Sequence, residues 1–515
     1  MVKILDCTLR DGGYYTDWHF SNLLVEKYFQ SISKLPVDEV EVGYVSDNQK
    51  GNSGLYYHLN KTHLKNLKQR LRNNQKICCM INAKEIKNHK DLINLLSKFE
   101  GTIDVVRFAV DPLKIDFYLN IIRKTKKKIK KINFRINLMY LSKWFKDINF
   151  ANKIINKCKS DIKEIALVDS YGSLQPLQVF NFFKKIVSQN KNTLIGCHFH
   201  NNCGLALANT LSAIEAGCRS ADSTLKGMGR GAGNAETELL LSILKPTKIS
   251  LSSYEFDETL EKFQDLKNKL NWGSSFSYSL SAVRGFSQSE MMDLLQKRRL
   301  DSSVALKTIS SKLKNNKTIN FKKLEKLNFL KKNNPILIGG SPSFLQNGRD
   351  FLKNLKSEIP IFLSGSNAFQ NYANLNIKVK NKIILILSGS EMKKIKLINN
   401  KNFMKRFKID YFVVEEDFYT NSLKKFNKNI IFSKSTAFNP LHLTGKLLIN
   451  LKIKNLTLAF FDGDFNSEKG RAVMNETKES LDMLKGKIRI QTFTQSFLPV
   501  KQINLWNNDK FLRTN

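Results

Sequence analysis

Short apolar segments alternate regularly with longer amphipathic stretches through the first 225 residues of the chain. Stretches such as Asp91 to Phe99 and Val179 to Val187 have the apolar spacing of helices. Strict alternation of strand and helix favours a parallel sheet covered by helices, and eight such units suit a closed (β/α)8 TIM barrel. An open doubly wound sheet is the alternative. The eight predicted strands are Val2–Asp6, Val40–Val45, Lys76–Asn82, Val105–Val110, Ile132–Leu138, Ile165–Asp169, Leu194–His200 and Ala221–Leu225.

The pattern changes twice after the predicted barrel. Residues 251–313 are mainly helical in character, and residues 314–334 are polar and rich in Lys and Asn, as expected of a linker. Six further apolar segments then begin at Pro335, Ile359, Lys382, Ile409, Asn429 and Leu456. We therefore expect a barrel domain at 1–250, a helical extension and linker at 251–330, and a Rossmann-like open parallel α/β domain at 331–515.

The charge of the chain does not by itself indicate a nucleic-acid partner. Lys and Arg number 84 against 45 Asp and Glu, a formal net charge of +39. A basic chain can bind nucleic acid, but the lysines are scattered, only Arg123 to Lys131 forms a dense run, and no nucleic-acid motif accompanies it. We expect no nucleic-acid partner.

Cysteine usage and hydropathy indicate a cytoplasmic protein that does not insert into a membrane. The seven cysteines form no C-x-x-C pair and are odd in number, which fits neither a disulfide framework nor a structural zinc site. No run of about 18 apolar residues occurs. The first residues include Asp6 and Asp11, where a secretory signal would be apolar.

Polar residues collect where the predicted strands end, which in a barrel is one face. Arg10 and Asp11 follow the first strand, and His198 and His200 end the seventh. Side chains two apart on a strand point to the same side, so both imidazoles face one way. One carboxylate and two imidazoles are a partial ligand set for a divalent metal, favouring Mn²⁺ or Mg²⁺ with Co²⁺ or Zn²⁺ as alternatives. The other interpretation of this H-x-H pair is two hydrogen-bonded histidines.

Further polar residues fall at other strand ends. The second predicted strand ends in VEVGYVS, which brings Glu41 as a candidate acid or base. The alternative role of Glu41 is a salt bridge to Arg107. Arg107, Asp169 and Ser170 are predicted to contact substrate. Asn234 lies in a glycine-rich loop after the eighth strand, KGMGRGAGNAETE.

Four motifs, LDCTLRDGG, VEVGYVS, HFHNNCGLALAN and GMGRGAGNAETE, resemble in order and spacing those of the DRE-TIM metallolyases, the HMGL-like family. This family includes 2-isopropylmalate synthase, hydroxymethylglutaryl-CoA lyase and 4-hydroxy-2-oxovalerate aldolase, and the resemblance covers about residues 1–300. The segments DGGYYTDWHF and NWGSSFSYSLSA look most like the aldolase branch, particularly its members linked to surface polysaccharide synthesis. The C-terminal domain, beyond this resemblance, resembles no family that we recognise.

The resemblance implies roles for individual residues. Asp11, His198 and His200 would bind the metal, Asn234 would be a further ligand, and Arg10 would hold an enolate oxygen. It implies a metal-dependent aldolase or lyase in which a 2-oxo acid such as pyruvate forms an enolate that adds to an aldehyde, including one derived from a sugar. The alternatives are an acyl-CoA condensing enzyme of the isopropylmalate synthase type and a non-catalytic basic scaffold that binds polyanions. We also expect a homo-oligomer.

One position departs from the family pattern. Pyruvate aldolases have a histidine base three residues beyond the metal-binding aspartate, and this chain has Tyr14 there. Holding a tyrosine ionised at pH 7 would cost roughly 4 kcal/mol, since its ordinary pKa is about 10. Tyr14 is therefore predicted to orient the substrate, and His19 or a hydroxide on the metal to take the proton.

The sequence GGSPS suggests a phosphate site in the C-terminal part. It follows an apolar segment and precedes a helical one, an arrangement in which backbone amides and a helix N-terminus receive phosphate. It is neither G-x-G-x-x-G nor a Walker loop. A nucleotide or nucleotide-sugar is one interpretation, and a tight turn is the other. The residues concerned are Gly339, Gly340, Ser341 and Ser343.

Overall fold

The computed structural model divides the chain into two compact units, Met1–Met292 and Asp293–Asn515. It describes residues 2–47, 53–248, 254–297, 302, 305–306, 309–310, 321–388, 407, 409–416, 429–433, 437, 439–463, 468–504 and 511–512. Within these residues, no helix is both long and apolar enough to cross a lipid bilayer.

The first unit contains a closed barrel of eight parallel strands, as the sequence predicts. Closure rests on the pairing of the first strand with the eighth, in register from Lys3 with Ser220 to Asp6 with Ser223. An open sheet would leave both of these edges free. The strands are β1 (Lys3–Asp6), β2 (Glu39–Tyr44), β3 (Lys76–Ile81), β4 (Val105–Val110), β5 (Asn133–Leu138), β6 (Glu164–Asp169), β7 (Leu194–Phe199) and β8 (Ser220–Ser223).

Helices follow the strands and bury one apolar face each. The α-helices of this unit are α1 (Thr8–Thr16), α2 (Asn22–Ile32), α3 (Lys61–Gln69), α4 (His89–Ser97), α5 (Ile115–Lys126), α6 (Leu141–Trp144), α7 (Ile148–Cys158), α8 (Pro176–Gln189), α9 (Ala206–Glu215), α10 (Thr237–Leu244), α11 (Tyr254–Leu270), α12 (Phe276–Val283) and α13 (Gln288–Met292). Short 3₁₀ turns lie at Ala83–Glu85, Pro112–Lys114, Leu225–Gly227 and Pro246–Lys248. Side chains of Ser21, Asn60 and Asn88 accept backbone N–H groups at the start of α2, α3 and α4, which fixes where these helices begin.

Helix α11, C-terminal to the predicted barrel segment, packs onto α2. Ser31 and Thr259 hydroxyls lie 2.8 Å apart, and Lys27 Nζ lies 2.8 Å from Glu258 Oε2. The first unit extends to Met292 and so includes the helices α11, α12 and α13 of the predicted helical extension.

The second unit contains an open sheet of nine strands within the described residues. Its order is β17-β16-β15-β10-β11-β12-β13-β14-β9, and all neighbours are parallel except β14 and β9. The strands are β9 (Phe321–Lys322), β10 (Ile336–Ile338), β11 (Ile361–Ser364), β12 (Ile383–Leu387), β13 (Tyr411–Glu415), β14 (Ile430–Ser433), β15 (Asn455–Ala459), β16 (Arg489–Thr492) and β17 (Lys501–Gln502). The helices are α14 (Pro342–Asn354), α15 (Gly365–Leu375), α16 (Pro440–Asn450) and α17 (Glu468–Leu484), with a 3₁₀ helix at Leu324–Lys331 and a π turn at Asp293–Lys297.

The six predicted strands of this sheet are present, and β9, β16 and β17 extend it. The sequence does not reveal these three because they are two to four residues long and carry polar side chains. The polar stretch predicted as a linker contains β9 and the following 3₁₀ helix, in which Leu327 and Leu330 are buried. These leucines, with Phe321, Leu324 and Phe329 packed against the same core, anchor the segment although Lys and Asn surround them.

Candidate active site

Three of the predicted metal ligands meet at the mouth of the barrel. Asp11 lies in the first turn of α1, directly after β1, while His198 ends β7 and His200 follows it. One ligand atom from each of the three lies within 4.8 Å of the others, and all three residues are buried. The two imidazole centroids are 5.0 Å apart, and Phe199 between them points the other way, into the helix layer beside Phe183. The sequence places Arg10 and Asp11 at a strand end, whereas the structure places them on a helix whose first turn aims them into the barrel.

Asn234 joins this cluster through both its backbone and its side chain. Its backbone forms an isolated antiparallel bridge with His200, and its Nδ2 donates to Asp11 Oδ2 at 2.6 Å. Asn234 Oδ1 is buried and has no hydrogen-bond partner within the described part of the chain. A buried acceptor without a partner is costly, so this oxygen fits a bound cation. The donor set of one carboxylate, two imidazoles and one amide oxygen therefore suits a divalent metal.

The glycine-rich loop leaves room for this cluster at Gly229. A Cβ there would lie 2.1 Å from Asn234 Nδ2 and 2.5 Å from Asp11 Oδ2. Both side chains are short, so they could not swing aside and keep their present contact. Any residue larger than glycine at this position would displace the ligands.

Both histidines present Nε2 to the cluster because Nδ1 is used elsewhere. His198 Nδ1 lies 2.9 Å from Asp222 Oδ2, and His200 Nδ1 lies 3.2 Å from the carbonyl oxygen of Gly233. A second partner of this kind fixes the tautomer and the ring orientation of a metal-binding histidine. Burial, and then the charge of Arg230, lowers the pKa of His200 well below its usual value. His200 is therefore neutral and can donate a lone pair.

Arg10 lies between two carboxylates. Its Nη1 donates to Asp11 Oδ1, and its Nε donates to Glu41 Oε2 at 2.6 Å. Burial alone would raise the pKa of Asp11, but the charge of Arg10, the two neighbouring histidines and the hydrogen bond from Asn234 together outweigh it, and the pKa lies well below its usual value. Asp11 is therefore ionised, as a metal ligand must be.

A chain of alternating charge continues from Glu41 to His198. Arg107 Nη1 lies 3.4 Å from Glu41 Oε2, its Nη2 lies 2.5 Å from Asp222 Oδ2, and its Nε donates to Asn137. Arg107 is thus held by side chains of the barrel interior, including the salt bridge to Glu41 that the sequence offered as an alternative. Burial alone would raise the pKa of Asp222, but the charges and hydrogen bonds of Arg107 and His198 together outweigh it and lower the pKa to about 2.

Replacing Asp222 by asparagine should weaken metal binding without removing any ligand. Asparagine can present its amide nitrogen to His198 Nδ1, which favours the wrong tautomer, and loss of such a partner typically costs 10- to 100-fold in metal affinity. We expect Mn²⁺ affinity, measured by calorimetry, to fall by about this factor. Asp161→Asn, which removes a carboxylate paired with Arg123 and bonded to Ser160 outside the site, is the control. Unchanged affinity in Asp222→Asn would contradict the orienting role.

Aromatic side chains border the cluster on the side of β2. Tyr14 and Tyr44 hydroxyls lie 3.3 Å apart, and Trp18 packs edge-on against both rings. Burial raises the pKa of Tyr44, so its hydroxyl stays protonated. The Arg230 guanidinium lies 5.7 Å from the Tyr14 ring centroid. His19, in contrast, is exposed and lies beside Gly54, and this location does not favour its role as the base.

The two predicted substrate-binding residues at the end of β6, Asp169 and Ser170, have different surroundings. Asp169 is buried and its Oδ2 accepts the backbone N–H of Leu174 at 3.0 Å, so this oxygen holds its own loop. Ser170 Oγ accepts the backbone N–H of Tyr140 and lines an open cavity of about 560 Å³ on the same face of the barrel.

Comparison with known proteins agrees with this geometry. The family model for HMGL-like proteins matches residues 1–266. The chain belongs to the HMGL-like family. A 4-hydroxy-2-oxovalerate aldolase of Geobacillus genomosp. 3 is 27% identical over 254 residues, 47% of this chain and 70% of that protein. The (R)-citramalate synthase of Methanocaldococcus jannaschii is 26% identical over 286 residues, 52% of this chain and 54% of that protein.

A solved structure also resembles the first unit. The N-terminal domain of a protein described as a candidate aldolase from Bacteroides vulgatus is 35% identical. The match covers 57% of this chain and 96% of that one, with a TM-score of 0.52. The family match ends at residue 266, so it does not extend to the second unit.

Glu238 lies in helix α10, which follows β8 of this HMGL-like barrel. Its carboxyl group stabilises the folded unit more at low pH than at high pH. Burial raises its pKa from 4.5 to about 7, while Lys226 N–H donates to both oxygens at 3.1 Å. Because the unfolded chain ionises near 4.5, the stability this group contributes is complete below pH 4.5 and is lost as the pH rises to 7.

Glu238→Gln should therefore stabilise the first unit at pH 8 and much less at pH 5. The isosteric amide keeps an acceptor for Lys226 N–H, and about 2.5 pKa units correspond to about 3 kcal/mol. Melting curves of wild type and variant at both pH values measure the effect. Glu261→Gln, an exposed position on α11, should show no such pH dependence. An equal gap at pH 5 and pH 8 in Glu238→Gln would contradict the assignment.

In the second unit, the GGSPS turn joins β10 to α14 as predicted, but its atoms already have neighbours. Ser341 Oγ accepts the backbone N–H of Asp462 at 3.1 Å. A Cβ on Gly339 would lie 2.2 Å from the carbonyl oxygen of Phe460, and one on Gly340 would lie 2.6 Å from Asn367 Cβ. Close approach of the Phe460 backbone accounts for Gly339, and close approach of helix α15 accounts for Gly340. The phosphate-binding role of these residues and of Ser343 stays a prediction.

Several residues at the site are not found by sequence reasoning. Asp222 is the clearest, and its signal is a carboxylate inside a buried strand, SADS, whose other residues are small. Gly229 could be found only with the positions of Asn234 and Asp11 known. The local sequence around Tyr44 and Arg230 does not indicate a role for either residue, because each contacts side chains that come from other strand ends.

Proposed function

We propose that this protein is a divalent-metal-dependent aldolase or lyase that forms or cleaves a carbon–carbon bond through the enolate of a 2-oxo acid such as pyruvate. The observation that carries the proposal is the buried cluster of Asp11, His198 and His200, with ligand atoms within 4.8 Å of one another. Arg10 contacts the same carboxylate. Together they provide a cation site and a fixed positive charge at one point of the barrel mouth.

Asp11, His198 and His200, with Asn234 Oδ1 as a fourth donor, would hold the cation, and Mn²⁺ or Mg²⁺ suits this set best. When bound, it supplies Lewis-acid stabilisation of negative charge that develops on a keto oxygen. Arg10 helps to keep Asp11 ionised, and its guanidinium is fixed by Glu41 so that it need not reorganise when charge appears. Fixed dipoles and charges of this kind are an effective means of lowering a barrier.

The remaining side chains orient the substrate and exchange its proton. Tyr14 and Tyr44 present a pair of hydroxyls beside Arg10, and the protonated Tyr44 can only donate to an anionic oxygen. Glu41 is fully buried and accepts Arg10 on Oε2, while its Oε1 has no hydrogen-bond partner within the described residues. We propose Glu41 Oε1 as the proton acceptor, in preference to the exposed His19.

Two relatives of this chain that are named as synthases support a second candidate reaction. The citramalate synthase of Methanocaldococcus jannaschii and the 2-isopropylmalate synthase of Oceanobacillus iheyensis are 26% and 24% identical to this chain. These identities are close to the 27% of the aldolase from Geobacillus genomosp. 3. An acyl-CoA condensing activity is therefore the second candidate.

Proton exchange tests the proposal before any aldehyde is known. Metal-reconstituted protein is incubated with pyruvate in deuterated water, and loss of the methyl signal is followed by NMR. We expect exchange that depends on Mn²⁺ or Mg²⁺ and disappears in metal-stripped protein. Exchange on acetyl-CoA with none on pyruvate would favour the condensing reaction, and exchange on neither would contradict enolate formation.

A further inference from the structure

An open cavity of about 560 Å³ lies on the carboxyl-terminal face of the barrel, next to the candidate metal site. Its wall is built from segments that follow β4, β5, β6 and β8, together with residues at the start of α13. Arg230 connects the cavity to the metal site, since it lines the cavity and its guanidinium lies 5.7 Å from the Tyr14 ring centroid.

The size of the cavity bears on the second substrate. At about 30 Å³ for each water-sized group, the three heavy atoms of a two-carbon aldehyde would fill roughly 90 Å³. Volumes of about 300–1000 Å³ are typical of sites for considerably larger ligands. A two-carbon partner would leave most of this space to water, so the cavity suits a longer molecule.

The charge of the side chains that line the cavity indicates that its ligand carries a negative charge. Lys143 and Arg230 both line the cavity and, within the residues that the structure describes, both lie over aromatic rings and neither forms an ion pair with a carboxylate. The carboxylate that also lines the cavity, Asp111, accepts the backbone N–H of Leu113 at 3.0 Å and so closes its own turn. Two cations against one occupied carboxylate leave a net positive charge.

Two tyrosines hold Lys143 in place. Its Nζ lies 5.3 Å from the Tyr140 ring centroid and 5.0 Å from that of Tyr171, within cation–π range. Tyr140 has a left-handed backbone, with φ of 63°, and its N–H is held by Ser170 Oγ at 3.0 Å. Non-glycine residues in this region carry strain that surrounding structure must hold, and such positions cluster at functional sites. The lysine is therefore presented on a preformed wall.

We propose that this cavity binds an acceptor aldehyde that carries an anionic group, a phosphate or a carboxylate, and that Lys143 and Arg230 receive that group. The inference rests on the proposed function and extends it to the second substrate. In the aldol step the enolate methylene carbon bonds to the aldehyde carbon, the carbonyl π electrons move to the aldehyde oxygen, and that oxygen takes one proton. No oxidant or further reactant is needed.

Matched pairs of aldehydes test the proposal with the full-length, Mn²⁺-loaded protein. The pairs are D-glyceraldehyde with D-glyceraldehyde 3-phosphate, and butanal with succinic semialdehyde, each used with pyruvate. We expect kcat/KM for one anionic member to exceed that of its neutral partner at least tenfold, because hydrogen bonds to charged groups contribute more than neutral ones. Which pair shows the larger ratio distinguishes phosphate from carboxylate. Ratios near one in both pairs would overturn the proposal.

Variants of two neighbouring lysines separate the specific contact from general charge. Lys143→Gln should lower the anionic-to-neutral ratio about tenfold, mainly through KM. Lys143→Arg should restore most of it, and Lys146→Gln should leave it unchanged, since Lys146 lies over the Phe145 ring and does not line the cavity. An equal fall in Lys143→Gln and Lys146→Gln would overturn the assignment.

A binding measurement keeps the inference separate from the proposed reaction. If pyruvate shows no deuterium exchange, the proposed function fails, while calorimetric titration with sn-glycerol 3-phosphate, succinate and glycerol still tests the cavity. Binding of either anion, absent for glycerol and weakened about tenfold in Lys143→Gln, supports the anion site. Absence of binding by both anions would overturn it.

Discussion

An Asp11→Asn variant is expected to lose high-affinity Mn²⁺ binding and about a thousandfold of its rate of pyruvate deuterium exchange. The substitution keeps the size of the side chain but removes the negative charge shared by Arg10 and the cation site. Loss of Lewis-acid stabilisation worth about 4 kcal/mol corresponds to this factor. Calorimetry measures the affinity and NMR the exchange.

Asp17→Asn is the matched control for this variant. It removes the same charge from an exposed residue at the end of α1, where asparagine also tolerates the left-handed backbone. Its metal affinity and exchange rate should equal those of wild type. Asp11→Asn with wild-type exchange would mean that the cluster is not the reaction centre, whatever it binds.

Removing the Arg10 guanidinium is expected to have the second largest effect. Arg10→Met should reduce pyruvate exchange about 100- to 1000-fold, as loss of a preorganised donor at a developing negative charge does in other enzymes. It should also destabilise the first unit by about 3–5 kcal/mol, because Glu41 is left as a buried carboxylate without this partner. Melting curves and exchange rates are measured on the same protein.

The double variant Arg10→Met/Glu41→Gln separates the two consequences. Neutralising Glu41 removes the buried charge that Arg10 had paired, so much of the lost stability should return. Exchange should remain at the level of Arg10→Met or below. Because Glu41 is also the proposed proton acceptor, recovery of exchange together with stability would contradict the roles proposed for both Arg10 and Glu41.

The barrel could be predicted from sequence because its strands are apolar, regular and separated by helices of similar length. The predicted and observed limits of β4 coincide, from Val105 to Val110. The second sheet was predicted less completely, because β9, β16 and β17 are edge or near-edge strands too short and polar to give an apolar pattern. Helix α11 could not be assigned to the barrel unit, since only its partners on α2 reveal where it packs.

The residues of the candidate site that could be predicted are those at the end of a strand or directly after one. His198 and His200 share a face because strand geometry requires it, and Asp11 comes close because β1 and the end of β7 open at the same rim. Asp222 and Arg230 could not be predicted in their roles. Each acts through a side chain from another strand end, so its position depends on barrel closure and loop conformation rather than on local sequence.

Anomalous diffraction from crystals of this chain grown with Mn²⁺ would locate the metal directly. We expect a manganese peak in contact with Asp11, His198 and His200 together, on the side where Asn234 Oδ1 has no hydrogen-bond partner among the described residues. The same crystals of Asp11→Asn should lack it. A well-occupied peak elsewhere in the first unit, with none between these three side chains, would show that they do not form the metal site.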